Sequence, residues 1–320
     1  MNSRLDRNVL RHGLSVLVLS FLLVACATPG APDEPMADTN YGVLIMAHGG
    51  GPNWNESVMD AVLTLREQYP VEVAFGMADA GSLEQAVRKL ETAGVEHVGV
   101  VRLFISGESW FDRTQQILGL QDGAPTRDAW EAGAASRRHG GMPMGFWEID
   151  TALNFHLSAD GLADAEEMDE VLKHRIEALS RDPSKEVALV LAHGPADDLE
   201  DARWVAKISE RTQLAKDSLG LADVKVFTLR EDWEEKREGA EEAIRLYIEN
   251  ARKGGFDVMV IPYRVQGFGP YAEVLSGLDY RSEGVGLLPH RNVGLWVQNQ
   301  AAELYSEALQ HQRDLLASAP

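Results

Sequence analysis

The chain of 320 residues has one cysteine, Cys26, so no internal disulfide can form and the fold must rest on its hydrophobic core. It is also short of positive charge. Thirty lysines and arginines stand against fifty acids, for a net charge of −20, and a surface of that sign repels nucleic acid and attracts cations. No Walker loop, dinucleotide-binding glycine fingerprint or Cys-x-x-Cys pair occurs, which excludes the common nucleotide sites and thiol redox centres. The apolar run from Leu14 to Ala25 is too short to cross a bilayer as a helix.

That run follows Arg4, Arg7 and Arg11 and has the make-up of a signal h-region. It ends in Leu23-Val24-Ala25-Cys26, which resembles the lipobox of bacterial lipoproteins, where Cys26 would become the lipid-modified first residue. Ala27, in place of an aspartate, resembles the outer-membrane sorting pattern. Residues 27–40, with three prolines and three acids among small residues, read as an extended tether. The expectation is a signal peptide over 1–25, a tether over 26–40, and a domain facing the periplasm on a membrane lipid anchor. Without residues 1–25 the net charge is −22.

The stretch Gly42-Val43-Leu44-Ile45-Met46-Ala47-His48-Gly49-Gly50 reads as a buried strand that ends in a sharp turn and leaves His48 at the strand's carboxyl end. The same pattern returns 145 residues later as Val187 to Ala192 followed by His193-Gly194-Pro195. Around each copy strands alternate with helices. In the first half these are a helix past Val58 and Val62, a strand over 71–75, a helix N-capped by Ser82 and a strand over 97–105. Met142 to Ile149 is a further candidate strand, and Ala163 to Leu179 a helix. In the second half a helix from about Glu200 to Leu219, strands over 224–229 and 257–263, and a helix over 238–253 repeat the order. Gly294 to Leu315 supplies a last strand and helix. Such alternation predicts an α/β fold of two flavodoxin-like lobes with parallel sheets, related by internal duplication, at 41–150 and 151–320. Ligands of such sheets bind beyond the strands' carboxyl ends, where His48, His193 and Ser106-Gly107-Glu108-Ser109-Trp110 lie.

These residues resemble the class II tetrapyrrole metal chelatases of the sirohydrochlorin cobaltochelatase, or CbiX-like, kind. The apolar strand with Ala-His-Gly at 47–49 and 192–194, the helix Ser82-Leu83-Glu84-Gln85-Ala86, and the strands Val100-Val101-Arg102-Leu103-Phe104-Ile105 and Val260-Ile261-Pro262-Tyr263 carry the likeness. It implies a bilobal fold whose cleft inserts cobalt, nickel or iron, as divalent ions, into a tetrapyrrole such as sirohydrochlorin, without a nucleotide. Imidazole suits this work, since it ligates borderline metals near neutral pH and accepts protons when free. His48 is thus the first candidate for metal ligand or proton acceptor, with His193 as a second ligand. One departure stands out: the family's second histidine, after the Leu-Phe-Leu strand, is missing. Glu108-Ser109-Trp110 and Phe268-Gly269-Pro270 stand there instead. Glu108 is therefore a candidate oxygen ligand or base with a pKa raised in a dry cleft, or else a solvated loop acid.

Arg102, in place of the family's proline, is a candidate partner for a substrate carboxylate, and Arg113 and Arg264 are expected to gather at the same cleft. Gly49 and Gly50 would give a planar ligand room. Trp54, Trp110, Phe111, Trp130, Trp147 and Phe268 are candidate walls for a flat macrocycle. Arg138-His139-Gly140 has the letters of a histidine phosphatase motif but follows no apolar strand, and Gly107 to Phe111 lacks the last glycine of a nucleophile elbow. Besides the inserting enzyme, two readings stay open: a periplasmic carrier of metal or tetrapyrrole without turnover, and a scaffold without a ligand.

Overall fold

Tyr41–Ala47 (β1) is apolar throughout and wholly buried, as a strand covered on both faces must be. In the computed structural model, which describes residues 40–133 and 144–318, it is the centre of the first of two parallel sheets. The expected signal peptide, Cys26, nearly all of the tether and Arg138-His139-Gly140 lie outside the described residues. Thr39–Pro320 folds as one compact unit.

After β1 come α1 (Pro52–Ala61), β2 (Val71–Phe75), α2 (Ala80–Thr92), β3 (His97–Leu103), the short helices α3 (Phe111–Ile117) and α4 (Arg127–Ala132), and β4 (Asn154–Leu157). The first sheet has the order β2-β1-β3-β4. Next come α5 (Glu167–Leu179), β5 (Glu186–Ala192), α6 (Asp198–Arg211), α7 (Gln213–Leu219), β6 (Asp223–Thr228), α8 (Glu234–Lys253), β7 (Asp257–Pro262), α9 (Tyr271–Val274) and α10 (Arg291–Ser318). The second sheet runs β6-β5-β7, so β5 repeats the place of β1. Parallel pairing puts the ends of β1, β2 and β3 level, with Ala47 opposite both Phe75 and Leu103. Ala192 likewise stands opposite Thr228.

Several local expectations shift. The N-cap of α2 is Asp79, whose carboxylate accepts from the Ser82 N–H at 2.9 Å, and not Ser82 itself. Residues 144–150 form no strand. Instead β4, four residues past the expected boundary at 150, pairs with β3 and completes the first sheet. Gly294 to Leu315 holds no strand either. Val293, Trp296, Val297, Gln300, Ala301, Leu304 and Ala308 are buried at helical spacing, so the segment is one long helix. That helix returns to the first sheet, where the Tyr41 hydroxyl donates to the Ala301 carbonyl at 3.0 Å. The largest hydrophobic core joins Val43 and Ile45 of β1, Ala188 and Val190 of β5, Met168 and Leu172 of α5, and Trp296 and Val297 of α10. The two halves thus share an interior, while α2 and α8 each cover the outer face of one sheet.

Candidate functional site

Each repeated strand delivers its histidine in the same way. At Gly49 (φ +82°) and Gly194 (φ +80°) the chain turns through the left-handed region. An added Cβ would stand 3.0 Å from Phe75 Cβ in the first copy and 2.6 Å from Thr228 Cβ in the second, so the close approach also demands glycine. The turn folds the glycine carbonyl back onto the ring: Nδ1 of His48 donates to Gly49 O, and Nδ1 of His193 to Gly194 O, both at 2.7 Å. A carbonyl only accepts, so Nδ1 carries a proton in each case, and at His48 this leaves Nε2 as a free ligand atom.

His48, Glu108 and His193 all line one cavity of about 530 Å³ between the strand ends of the two sheets. Its walls are rich in rings: Trp54, Phe104, Trp110, Trp204 and Trp233. Trp54 stands 6.3 Å from His48 and Trp233 5.8 Å from His193, centroid to centroid, so each imidazole has a tryptophan beside it. Of the aromatic residues singled out in the sequence, Trp54 and Trp110 reach the cavity. Phe111 lies under Arg102, Trp147 is buried in the core under α2 with Trp130 against it, and Phe268 packs on Tyr271 and Tyr280. Gly49 and Gly50 do not line the cavity; a Cβ at Gly50 would meet the Trp54 ring at 2.9 Å.

The expected arginines mostly serve the fold. Arg102 is 1% exposed and does not face the cavity. Its guanidinium donates to the carbonyls of Ser158 (2.9 Å), Ser109 (2.8 Å), Gly107 (2.6 Å) and Ala159 (3.1 Å), and lies 4.6 Å from the Phe111 ring centre. It fastens the loop after β3 to the segment after β4, and burial lowers its pKa to about 10. Arg113 is likewise spent on the carbonyls of Ala78, Met144 and Gly145. Arg264 does line the cavity, paired with Glu231.

Glu108 is no raised-pKa base. Arg203 of α6 grips it with two bonds, Nε to Oε1 at 2.8 Å and Nη2 to Oε2 at 2.5 Å, and this holds the carboxyl below its ordinary range. The acid of that kind is Glu200, which the sequence reading passed over. It lines the same cavity half-buried, accepts from Trp204 Nε1 at 3.2 Å, and has its pKa raised by burial. A signal for it was present: Asp197-Asp198-Leu199-Glu200 has capping-box spacing, and the Asp197 carboxylate does accept from the Glu200 N–H at 2.8 Å, which starts α6 earlier than expected. Asp232, the third cavity acid, meets His193 Nε2 at 3.1 Å. Among the described residues, His48 Nε2 has no protein hydrogen-bond partner, and no three His, Cys, Asp or Glu side chains already surround a common metal position.

Residues 42–127 match the CbiX family. No curated protein matches the chain. Among solved structures, a multi-domain protein of Deinococcus radiodurans with structural similarity to chelatases aligns at 18% identity and a TM-score of 0.50. The match covers 82% of this chain but only 55% of that one, so this chain spans about half of that protein. SirB from Bacillus subtilis, solved with Fe3+, aligns at 14% identity and a TM-score of 0.51, over 83% of this chain and 97% of that one. At these identities the likeness establishes a chelatase-like α/β fold of two parallel sheets.

Proposed function

We propose, from the premise that the chain carries a CbiX-family region at residues 42–127, that it is an enzyme inserting a divalent metal ion into a tetrapyrrole of the sirohydrochlorin type. One observation carries this reading: the duplicated histidines and a wall of tryptophans meet in a single cavity. Cobalt, nickel and iron all accept imidazole donors, with affinity for a given nitrogen site rising from iron to nickel. In this reading the macrocycle lies against the ring-lined walls and His48 Nε2 offers the metal its lone pair. Insertion displaces two pyrrole protons: Glu200, whose raised pKa makes it a better acceptor than Glu108, takes one, and His48 Nε2, freed once the metal has entered the ring, takes the other before both pass to solvent.

Spectrophotometric titration with sirohydrochlorin and Co²⁺ tests this. The expected result is the absorbance change of metal insertion, faster than the uncatalysed background. A bound but unmetallated chromophore would instead support a carrier. That second reading draws on the Asp232 carboxylate at His193 Nε2, which leaves one histidine already engaged. A flat baseline would remove both.

The anchor belongs to the same proposal: lipidation at Cys26 would hold the domain on the periplasmic side of a membrane, most simply the outer one. Among the described residues no helix is long and apolar enough to cross a bilayer. Mature protein should fractionate with membranes and Cys26→Ser should be released or misprocessed; recovery of unprocessed wild type in the cytosol would end this reading.

A further inference from the structure

Three histidines that the cavity does not use gather at the opposite end of the first sheet. His97 opens β3, His156 lies on the neighbouring β4, and His311 comes from α10. Their ring centroids are 5.7, 6.1 and 6.3 Å apart, close to an equilateral triangle built from three distant parts of the chain. His97 is buried, and among the described residues no carboxylate forms an ion pair with any of the three rings. His97 Nδ1 and His156 Nε2 face each other at 3.4 Å. That is longer than the roughly 2.7–3.2 Å of an ordinary hydrogen bond. It equals the roughly 3.4 Å between two nitrogens bound at about 2.1 Å to one tetrahedral metal.

A separate cavity of about 410 Å³ is lined by His156 and His311 together with Glu148, Thr151 and Asn154, and gives the cluster both a route from solvent and room for water ligands. The seven-residue strand β3 runs from this cluster to the ring-lined cavity, which places the two about 20 Å apart.

We propose that His97, His156 and His311 form a second metal site, independent of the large cavity, for a divalent first-row ion that favours imidazole, such as Ni²⁺, Co²⁺ or Zn²⁺. Two ligands stand ready and the third closes on binding. The centroid spacings exceed by under about 1 Å the roughly 5.2–5.6 Å expected for imidazoles sharing one metal, and exposed His311 has the freedom to turn inward. The bound ion would tie α10 to the edge of the sheet.

The test uses the full chain without a polyhistidine tag and Co²⁺ or Ni²⁺ alone, read by visible absorption and calorimetry. It is run in a His48→Ala, His193→Ala background, so that its outcome does not depend on the proposed enzyme activity. One equivalent of metal should remain bound. His156→Asn and His311→Gln, added separately, should each weaken it about tenfold or more. His311 is exposed, so His311→Gln should keep the metal-free thermal midpoint while losing the rise that metal gives its parent. No metal bound in the His48, His193 background, or binding unmoved by both added substitutions, would overturn the site.

Discussion

The two halves of the molecule release His48 and His193 from equivalent strands, through equivalent glycines, with the same Nδ1 contact at 2.7 Å. Beyond that contact they differ. In the first half Nε2 is open, and the loop after β3 is fastened by Arg102. In the second, Nε2 meets Asp232, and Pro262, opposite Leu191, holds the place that Arg102 has opposite Met46. The two copies thus share what orients the imidazole ring and differ in what faces its Nε2. One half offers a donor atom, and the other supplies Asp232 and Glu200.

The sharpest way to break this comparison is to exchange the histidines for alanine one at a time. His48→Ala should lower metal insertion about a hundredfold and His193→Ala about tenfold, both read as initial rates. Equal losses, or a larger loss at His193, would mean the halves do not divide the work as described.

Arg102→Met tests the fastening. It leaves four carbonyls without their donor in a buried setting, so stability should fall by about 3 kcal/mol. Thermal unfolding should show a drop of roughly 5 °C. The second half has no counterpart, and Pro262→Ala should cost less.

Arg203→Ala sharpens the comparison across the cavity. With its partner gone, the Glu108 carboxyl should titrate nearer its ordinary value. Glu200 loses a cation that lowers its pKa and faces an unpaired Glu108, so the acid limb of the pH–rate profile should move to higher pH while the thermal midpoint hardly changes. An unmoved profile would place Glu200 outside the chemistry.

The smallest effect concerns the seam between the halves. Burial, with Arg175 beside it, depresses His290 to about 4, and its Nε2 lies 2.8 Å from His174 Nδ1. The unfolded chain therefore takes up this proton first. The contribution to stability is intact above about pH 6.5 and is lost as pH falls toward about 4. His290→Gln should flatten that part of the stability curve, as measured by urea midpoints.

The duplicated strands were legible because a fully buried parallel strand writes an unbroken apolar run, and a tight turn behind it writes glycine. The shared interior was not. Whether α10 covers its own half or the other depends on contacts between residues as far apart as Tyr41 and Ala301, which no local period encodes. The site was legible in its histidines and obscure in its acids for a related reason. Glu108 and Glu200 are the same residue type, and only the fold sets them apart: Arg203 grips Glu108 and lowers its pKa, while burial raises that of Glu200. Arg102 misled because a charged residue inside an apolar strand suggests a ligand, when the carbonyls of 107–109 and 158–159 were waiting for it.

The return of α10 also sets a timetable for synthesis. Leu304 sits so close over β3 that a Cβ on Gly99 would lie 3.1 Å from it, and Tyr41 waits for the carbonyl of Ala301. A ribosome working from the first residue onward therefore exposes β1 to β4 long before their cover exists. Until residues 291–318 emerge, the part of the first sheet that Leu304 covers stays open, so apolar surface is exposed in the nascent chain. Folding of the earliest segment is completed by the latest.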